Sequence, residues 1–428
     1  MKTLITVTLS MFCSLNVLIS QPWTEVTTGV TTPLTSVSHY DNTNAWTCGN
    51  NGVVLRSTNL GLAWSNVSGN GLPSNISLVN IYGVSASTAL TAGYIGTTTY
   101  VYKTSNSGAN WTLVFAQPNG FINGIWFNGS LNGFMTGDPV GGRWSLWKTT
   151  NGGNNWDSTS MYLVQRNGEL GWNNSLYRNG NETWFGTDKA RIYHSSTGSA
   201  PWDSQSTGAN TNIYTIWVRN GPPFIGYAGG DSLSKTTNNG SVWNIQPTST
   251  TGAITGFAFF TFMNFLWHTR SNSYIYASNE GSPSWYVQYT APAGNYTHLT
   301  VIRPEFMFYP SGYLFAIRNN GGISRFFYFA EGVTIISSEI PETYKLVQNF
   351  PNPFNPVTNI GFLIVDFSFT RLAVYDALGK EVTILVNKQL RPGTYEVNWD
   401  ASAYPSGVYF YKLSANGFTE TKKMVLIK

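Results

Sequence analysis

Charge is the scarcest property of this chain. Only 10% of its 428 residues are Asp, Glu, Lys or Arg, against about a quarter in an ordinary soluble domain. The 24 basic and 20 acidic residues leave a net charge of +4 spread along the whole length. No basic patch exists to grip a phosphate backbone, so nucleic acid is excluded as a partner class. Cysteine is almost missing, with only Cys13 and Cys48. Cys13 sits in an apolar N-terminal stretch, in a Ser-Met-Phe-Cys context that is a poor lipoprotein signal. Cys48 alone then remains after processing, and neither an intrachain disulfide nor a cysteine-built metal site can form. The four histidines, His39, His194, His268 and His298, are far apart and lack metal-ligand spacing. A P-loop, a nucleophile elbow and a dinucleotide fingerprint are all absent, so no metal and no cofactor is expected. Beyond the N-terminal stretch no apolar run is long enough to span a bilayer.

That stretch, residues 1–20, reads as a secretory signal peptide, with Lys2 as a minimal basic region and an apolar run over 4–19. It is too short for a membrane span. What the chain has in abundance is aromatic residues, 15%, and 43 glycines, a mixture that suits many short strands joined by tight turns.

One short box recurs. Its cleanest copy is Thr149-Thr150-Asn151-Gly152-Gly153-Asn154-Asn155-Trp156, and related copies end at Trp64, Trp111, Trp202, Trp243 and Trp285. The tryptophans are therefore 47, 45, 46, 41 and 42 residues apart. A period in the forties with four short strands per unit is the signature of a propeller blade. Within each unit a first apolar strand (122–127, 213–218) leads to a second ending in Gly (133–137, 225–229). A third (145–149, 233–237) runs into the box, and the tryptophan opens a fourth. A degenerate copy at Asn319-Asn320-Gly321-Gly322 has no tryptophan behind it, while Trp23-Thr24-Glu25-Val26 is a tryptophan strand with no box in front. The N-terminal strand is expected to complete the last unit, giving an all-β, seven-bladed propeller over residues 21–336. Asn and Gly in the box act as a turn device, Asn by accepting backbone N–H groups and Gly by taking positive φ.

This repeat resembles the Asp-box propellers, with Asn in the place of Asp. In particular it is similar to neuraminidase-like repeats and to the photosystem II stability/assembly factor-like propellers, a resemblance covering about residues 21–330. It implies the fold and leaves the activity open. Sialidases of that fold carry an Arg-Ile-Pro motif near the N-terminus. Here Ile302-Arg303-Pro304 has the wrong order and falls in the last unit.

After a linker over 337–343 the sequence changes character. Gln348-Asn349-Phe350-Pro351-Asn352-Pro353-Phe354-Asn355-Pro356 excludes helix and central strand, and alternating strands follow at 371–375, 381–386, 394–399, 407–414 and 420–427. Residues 344–428 read as a small Ig-like β-sandwich. The proline motif, Val374-Tyr375-Asp376-Ala377-Leu378-Gly379 and the closing Lys422-Lys423-Met424-Val425-Leu426-Ile427-Lys428 resemble the type A C-terminal sorting domain of the type IX secretion system. The resemblance implies the type IX secretion machinery as partner of residues 344–428, and passage through the periplasm to the outer-membrane surface or the extracellular space.

Chemistry is sought on the face opposite the boxes, where propellers commonly hold ligands. The loops assigned there carry Tyr94, Asp138, Arg143, Trp144, Arg166, Glu169, Asp188, Lys189, Asp231, His268, Arg270 and Tyr309. Carboxylates and arginines beside aromatics suit a glycan or a protein segment. The first expectation is a secreted or surface-attached, non-enzymatic propeller that binds such a ligand. The alternative is a polysaccharide hydrolase or lyase using a pair among Asp138, Glu169, Asp188 and Asp231. A third is an assembly factor-like propeller.

Overall fold

The computed structural model describes residues 23–428 except 42, 209, 220–223, 249–251, 261–264, 281, 283, 301–310, 330–332, 338–339, 367 and 391. The signal peptide with Cys13, the tripeptide 302–304 and the candidate Tyr309 lie outside the described residues.

Every regular element described is a β-strand. The N-terminal part holds seven antiparallel sheets among the described residues. Sheet 1 comprises Leu34–His39, Ala45–Gly49, Val54–Ser57 and Ser65–Asn66, and sheet 2 comprises Ser77–Gly83, Ala89–Ile95, Thr98–Thr104 and Thr112–Pro118. Sheet 3 has three strands, Ile122–Asn128, Asn132–Val140 and Arg143–Thr149. Sheets 4, 5 and 6 start at Tyr177–Asn179, Ile213–Val218 and Ile254–Phe260, each with four strands. Sheet 7 joins Tyr296–Leu299, Ser311–Arg318 and Ile323–Phe329 to the N-terminal strand Thr24–Val26.

The first strands of neighbouring sheets pack side by side from sheet 4 round to sheet 3, and Leu34–His39 of sheet 1 meets both Ser77–Gly83 of sheet 2 and Tyr296–Leu299 of sheet 7, while between sheets 3 and 4 Leu176 lies against Gly124. The sheets therefore form a ring around a common axis, a β-propeller. Sequence explains the radial order. Inner strands are largely buried because both faces are covered, as in Ser77–Gly83, where six of the seven residues are buried. Outer strands such as Thr112–Pro118 are largely open to solvent. Six inner strands also carry a bulge near their start, as between Leu34 and Ser36 or Ile122 and Gly124. The repeated bulge adds the same local twist to each.

The boxes are clasps. Thr149 Oγ1 donates to Asn151 Oδ1 at 2.9 Å and accepts from the Gly153 N–H at 3.0 Å, while Asn151 Oδ1 takes the Asn155 N–H at 3.1 Å. The same three bonds recur at Ser57 with Asn59, Thr104 with Asn106 and Thr236 with Asn238. Gly152 and Gly153 sit at φ +70° and +80°, a conformation that penalises any Cβ. Several box tryptophans then bridge adjacent sheets, Trp64 to Phe315 at 5.6 Å, Trp111 to Trp46 at 6.3 Å and Trp202 to Phe134 at 6.4 Å.

Sheet 3 departs from the expected four strands. After Trp156 the carboxylate of Asp157 accepts the N–H and hydroxyl of Thr159 at 2.9 and 2.7 Å. That turn ends the fourth strand after the single bridge between Lys148 and Asp157. The chain is thereby released into a long excursion, residues 158–176.

The ring closes as the orphan Trp23 strand implied. Thr24, Glu25 and Val26 pair with Arg325, Ser324 and Ile323. Glu25 Oε1 accepts from Arg318 at 2.9 Å, Ser324 Oγ at 2.6 Å and Tyr289 of sheet 6 at 2.9 Å, and Arg318 also grips Oε2. Trp23 donates to Gln288 of sheet 6 at 2.9 Å.

The C-terminal module is a sandwich of two four-stranded sheets, with Leu346, Phe362, Leu372, Tyr395, Trp399 and Met424 in its core. Residues 333–336, read from sequence as the end of the propeller, pair instead with this module: Val333–Ser337 lies against Gly393–Asp400. We therefore place the boundary behind Phe329. The proline-rich stretch forms a fixed corner. Asn349 donates to Tyr411 at 2.7 Å through its N–H and to Thr358 at 2.9 Å through its amide, and Phe354 is buried beside Trp399. The Phe354 N–H reaches Val425 O at 3.0 Å, tying the corner to the last strand.

Burial opposes ionisation of Glu25, but the bonds from Arg318 and Ser324 outweigh it and hold its pKa below the ordinary 4.5. A depressed carboxyl pKa stabilises the fold above the unfolded value and loses that contribution as pH falls through the folded one. Glu25→Gln should therefore lower the melting temperature at pH 7 and narrow the difference from wild type below about pH 4. Because Glu25 keeps 30% exposure, the cost is expected near 2 kcal/mol rather than the 3–5 kcal/mol of a fully buried pair. Thermal melts of both proteins across pH 3–7 measure it.

Candidate functional site

The excursion over 158–176 gathers most of the charged residues singled out from sequence, and it uses them to hold itself in place. Asn167-Gly168, with φ of +52° and +62°, turns the chain so that Glu169 points inward. Glu169 is fully buried and accepts from Tyr193 OH, from Arg191 Nε at 3.0 Å and from the Arg166 N–H at 3.2 Å. Burial and the bond to Glu169 both push the Tyr193 hydroxyl well above its usual pKa. Asp138 Oδ1 takes the Gly171 N–H at 2.9 Å and the Asn123 amide at 2.8 Å. Its pKa is raised, first by burial and then, among smaller influences, by the charge of Asp188. Asp188 accepts the Leu170 N–H at 2.9 Å and lies 3.4 Å from Lys189 Nζ. Asp231 takes the backbone and side-chain N–H groups of Asn212 at 3.1 and 2.9 Å. Asp138, Glu169 and Asp188 are thus brought together, each with an oxygen committed to backbone N–H groups of one loop.

Other candidates are buried in the framework. Trp144 is 1% exposed and packs on Phe185 at 4.9 Å and Tyr193 at 5.7 Å. His268 is wholly buried, stacked on Tyr276 at 4.9 Å, and burial holds its pKa well below the usual value. Arg270, also buried, donates to Gly252 O and Thr248 Oγ1. It pairs with Ile254 as Gly49, Gly93 and Gly137 pair with the first residues of their inner strands, so it replaces a repeat glycine and ties a loop. Tyr94, Arg143, Arg166 and Lys189 remain exposed. Tyr94 packs on Phe121 at 5.4 Å, Arg143 lies 5.9 Å over Tyr162, and Arg166 contacts Ser204 Oγ at 3.4 Å.

The excursion then does something the sequence did not announce. Its end, residues 172–174, crosses one end of the ring's axis. Asn174 Nδ2 donates to Thr35 O at 2.9 Å, its Oδ1 accepts from Ser36 and Asn80 at 2.8 Å each, and its N–H donates to Asn123 O at 2.9 Å. Asn173 donates to Val79 O. One loop from between sheets 3 and 4 thereby ties the inner strands of sheets 1, 2 and 3.

Beyond this plug lies a central cavity of about 100 Å³. Val37, Ile81, Ile125 and Leu176 give it apolar walls, and Tyr82, Trp126 and Arg178 line it further along the same strands. His298 Nδ1 accepts the Val37 N–H at 3.2 Å, and burial lowers its pKa to about 4. The ring is therefore neutral at pH 7 with its proton on Nε2. None of the lining residues is Asp or Glu, and none belongs to the set singled out from sequence. Arg178 is next to the box of sheet 4, since a Cβ on Gly198 would strike its guanidinium, so this end of the cavity lies on the box side of the ring. A signal for Arg178 was present. It occupies the inner-strand position held by Gly83, Phe127 and Val218, each paired with the second-strand residue that faces the box Thr or Ser, and it is the one cation among them.

Among the described residues no group of three or more His, Cys, Asp or Glu could hold a metal ion, and no helix is long and apolar enough to cross a membrane. Together these features define a closed β-propeller, plugged at one end of its axis and followed by a β-sandwich. The chain belongs to the photosynthesis system II assembly factor YCF48 family, whose model matches residues 22–276. Residues 348–428 match the secretion system C-terminal sorting domain, which makes this a protein sorted by the type IX system to the cell surface or extracellular space. The fold is similar to that of YCF48 bound to D1 peptide, with a TM-score of 0.57 at 16% identity over 71% of this chain and 96% of that one. It is also similar to the WD40 propeller of Doa1, with a TM-score of 0.52 at 11% identity over 72% and 96%. Raptor from Chaetomium thermophilum gives a TM-score of 0.51 at 12% identity, over 72% of this chain and 29% of that one. At these identities the likeness concerns the fold alone. No curated protein matches the chain.

Glu169→Ala should strand Tyr193 and Arg191 without their acceptor and cost about 1–3 kcal/mol. Urea unfolding measures the loss, and an unchanged midpoint would contradict the clasp role.

Proposed function

We propose that the protein is an exported, non-catalytic propeller that binds a segment of a partner polypeptide where its central cavity opens. A signal peptide over 1–20 would deliver it to the periplasm and residues 344–428 would carry it across the outer membrane. The seven sheets are taken as seven blades. The observation that carries the binding reading is the cavity itself, apolar-walled, with a lone arginine and tied shut at its other end by Asn174. The apolar walls suit a side chain, and the polar groups at the plugged end, Ser36, Asn80 and Asn174, are bonded to one another rather than open to a sugar. That a family member has been seen bound to a peptide, the D1 peptide on YCF48, supports the same reading. The hydrolase reading loses ground because Glu169 is fully buried and Asp138 and Asp188 bind loop N–H groups. A glycan reading draws on the exposed Arg143, Tyr162 and Tyr94, which would offer a sugar a shallow platform on the loop face.

Arrays of peptides and of polysaccharides, probed with the purified protein and followed by assay of new reducing ends, test the proposal. Retention of peptides without release of sugar ends is expected. Retention and cleavage of a polysaccharide would overturn it. Export is tested separately: removal of residues 344–428 should shift the protein from the surface or medium into the periplasm. Unaltered surface display would remove the sorting role of this module.

A further inference from the structure

The strongest unexplained group in the molecule is Arg178. The residue lines the central cavity and is only 8% exposed. Among the described residues no carboxylate forms an ion pair with it. Its guanidinium lies 4.6 Å from the ring of Trp126 and 4.6 Å from that of Phe134, both in sheet 3. The two rings hold it as a flat plate. Nη2 donates to Asn181 O at 3.2 Å, and Nε has no partner. Burial lowers its pKa to about 10, which leaves it charged at neutral pH.

A buried, charged, incompletely bonded arginine is costly unless something completes it. The other candidates for that role are ruled out by the lining. It contains no Asp or Glu, and the polar groups nearest the plug are spent on one another, Asn80 and Ser36 on Asn174 and the Ile125 N–H on Asn80. Val37, Ile81, Ile125 and Leu176 supply the apolar walls, and Ser38, His39, Tyr82, Tyr177 and Trp126 complete the lining with the arginine. Such a site is complementary to one negative charge carried by an apolar group. Guanidinium matches carboxylate by paired hydrogen bonds. The cavity's roughly 100 Å³ holds several waters, given the 10–15 Å³ that one needs by this measure. It therefore admits one small aliphatic group and excludes a bulkier sugar.

We propose that the cavity is a carboxylate site, in which Arg178 binds the terminal carboxylate of a polypeptide whose last side chain is aliphatic and occupies the pocket among Val37, Ile81 and Ile125. The inference rests on the polypeptide-binding reading above and names the chemistry of its anchor. The step is non-covalent and releases water from the cavity. His298, uncharged and with its proton on Nε2, adds a neutral wall and no competing anion.

Calorimetric titration of the purified protein tests it with three probes: N-acetyl-Gly-Gly-Leu as the free acid, the same peptide as its C-terminal amide, and 4-methylpentanoate. The acid should bind at least about tenfold more tightly than the amide, as expected when a charge-assisted contact is lost. Arg178→Met, which keeps length and apolar contact, should erase that preference. Val37→Phe, which fills the pocket without touching the arginine, should weaken the acid as strongly. A thermal melt of each variant separates lost binding from lost folding, and the acid-against-amide comparison on wild type needs no variant. Equal affinity for acid and amide overturns the inference while leaving polypeptide binding in place. Binding of 4-methylpentanoate with neither peptide retained keeps the carboxylate site and overturns the polypeptide reading. No heat from either acid overturns the carboxylate site.

Discussion

The pairing of Thr24–Val26 with Ile323–Phe329 is the constraint on which the propeller depends. Each sheet buries its faces against two neighbours, so a ring left open would expose the flank of the first and the last. Closure by a three-residue strand removes both liabilities at once. So short a strand needs help, and Glu25 supplies it by accepting from Arg318, Ser324 and Tyr289. Two of these partners belong to sheet 7 and one to sheet 6. The N-terminal strand is thus fastened to two blades through one carboxylate, and the cavity on the axis exists because the ring is shut.

Within the ring the box and the bulge divide the labour. The Thr/Ser and Asn pair closes the turn between third and fourth strands with three hydrogen bonds, and glycine takes the positive φ that follows. The bulge near the start of six of the inner strands sets their twist. Both were legible to different degrees. The box stood out because its side chains are the device. The bulge is a backbone event, invisible in residue type. Sheet 3 misled for a related reason: Trp156 marks a fourth strand in every other copy, yet Asp157 caps Thr159 and ends it. A single turn residue there outweighed the period of the repeat.

The candidate site was less legible than the fold. Of the charges that the sequence assigns to the loops of one face, only Arg166 and Glu169 lie on the excursion itself, and sequence shows a carboxylate but not what its oxygens accept. Asp138, Glu169 and Asp188 proved to be ties within the loop, while Trp144, His268 and Arg270 proved to be buried. Arg178 escaped notice because a strand residue gave no hint of facing the axis until the sheets were superposed by their pairing. Once they are, a cation stands where Gly83, Phe127 and Val218 stand elsewhere. The C-terminal module is the reverse case. Its motifs are dense in proline and aromatic residues that fix a corner, Asn349 to Tyr411 and Phe354 to Trp399, so its sequence and its structure tell the same story.

The central structural claim is that one short strand and one loop make the ring a single closed unit with a cavity on its axis. Native-state amide hydrogen exchange on the full chain tests this most directly. The expected result is that Thr24–Val26, its partner Ile323–Phe329 and the amide of Asn174 exchange together with the inner strands, as one cooperative opening. Exchange of Thr24–Val26 and Asn174 orders of magnitude faster than the inner strands would contradict it, since the ring would then stand without its closure and its plug.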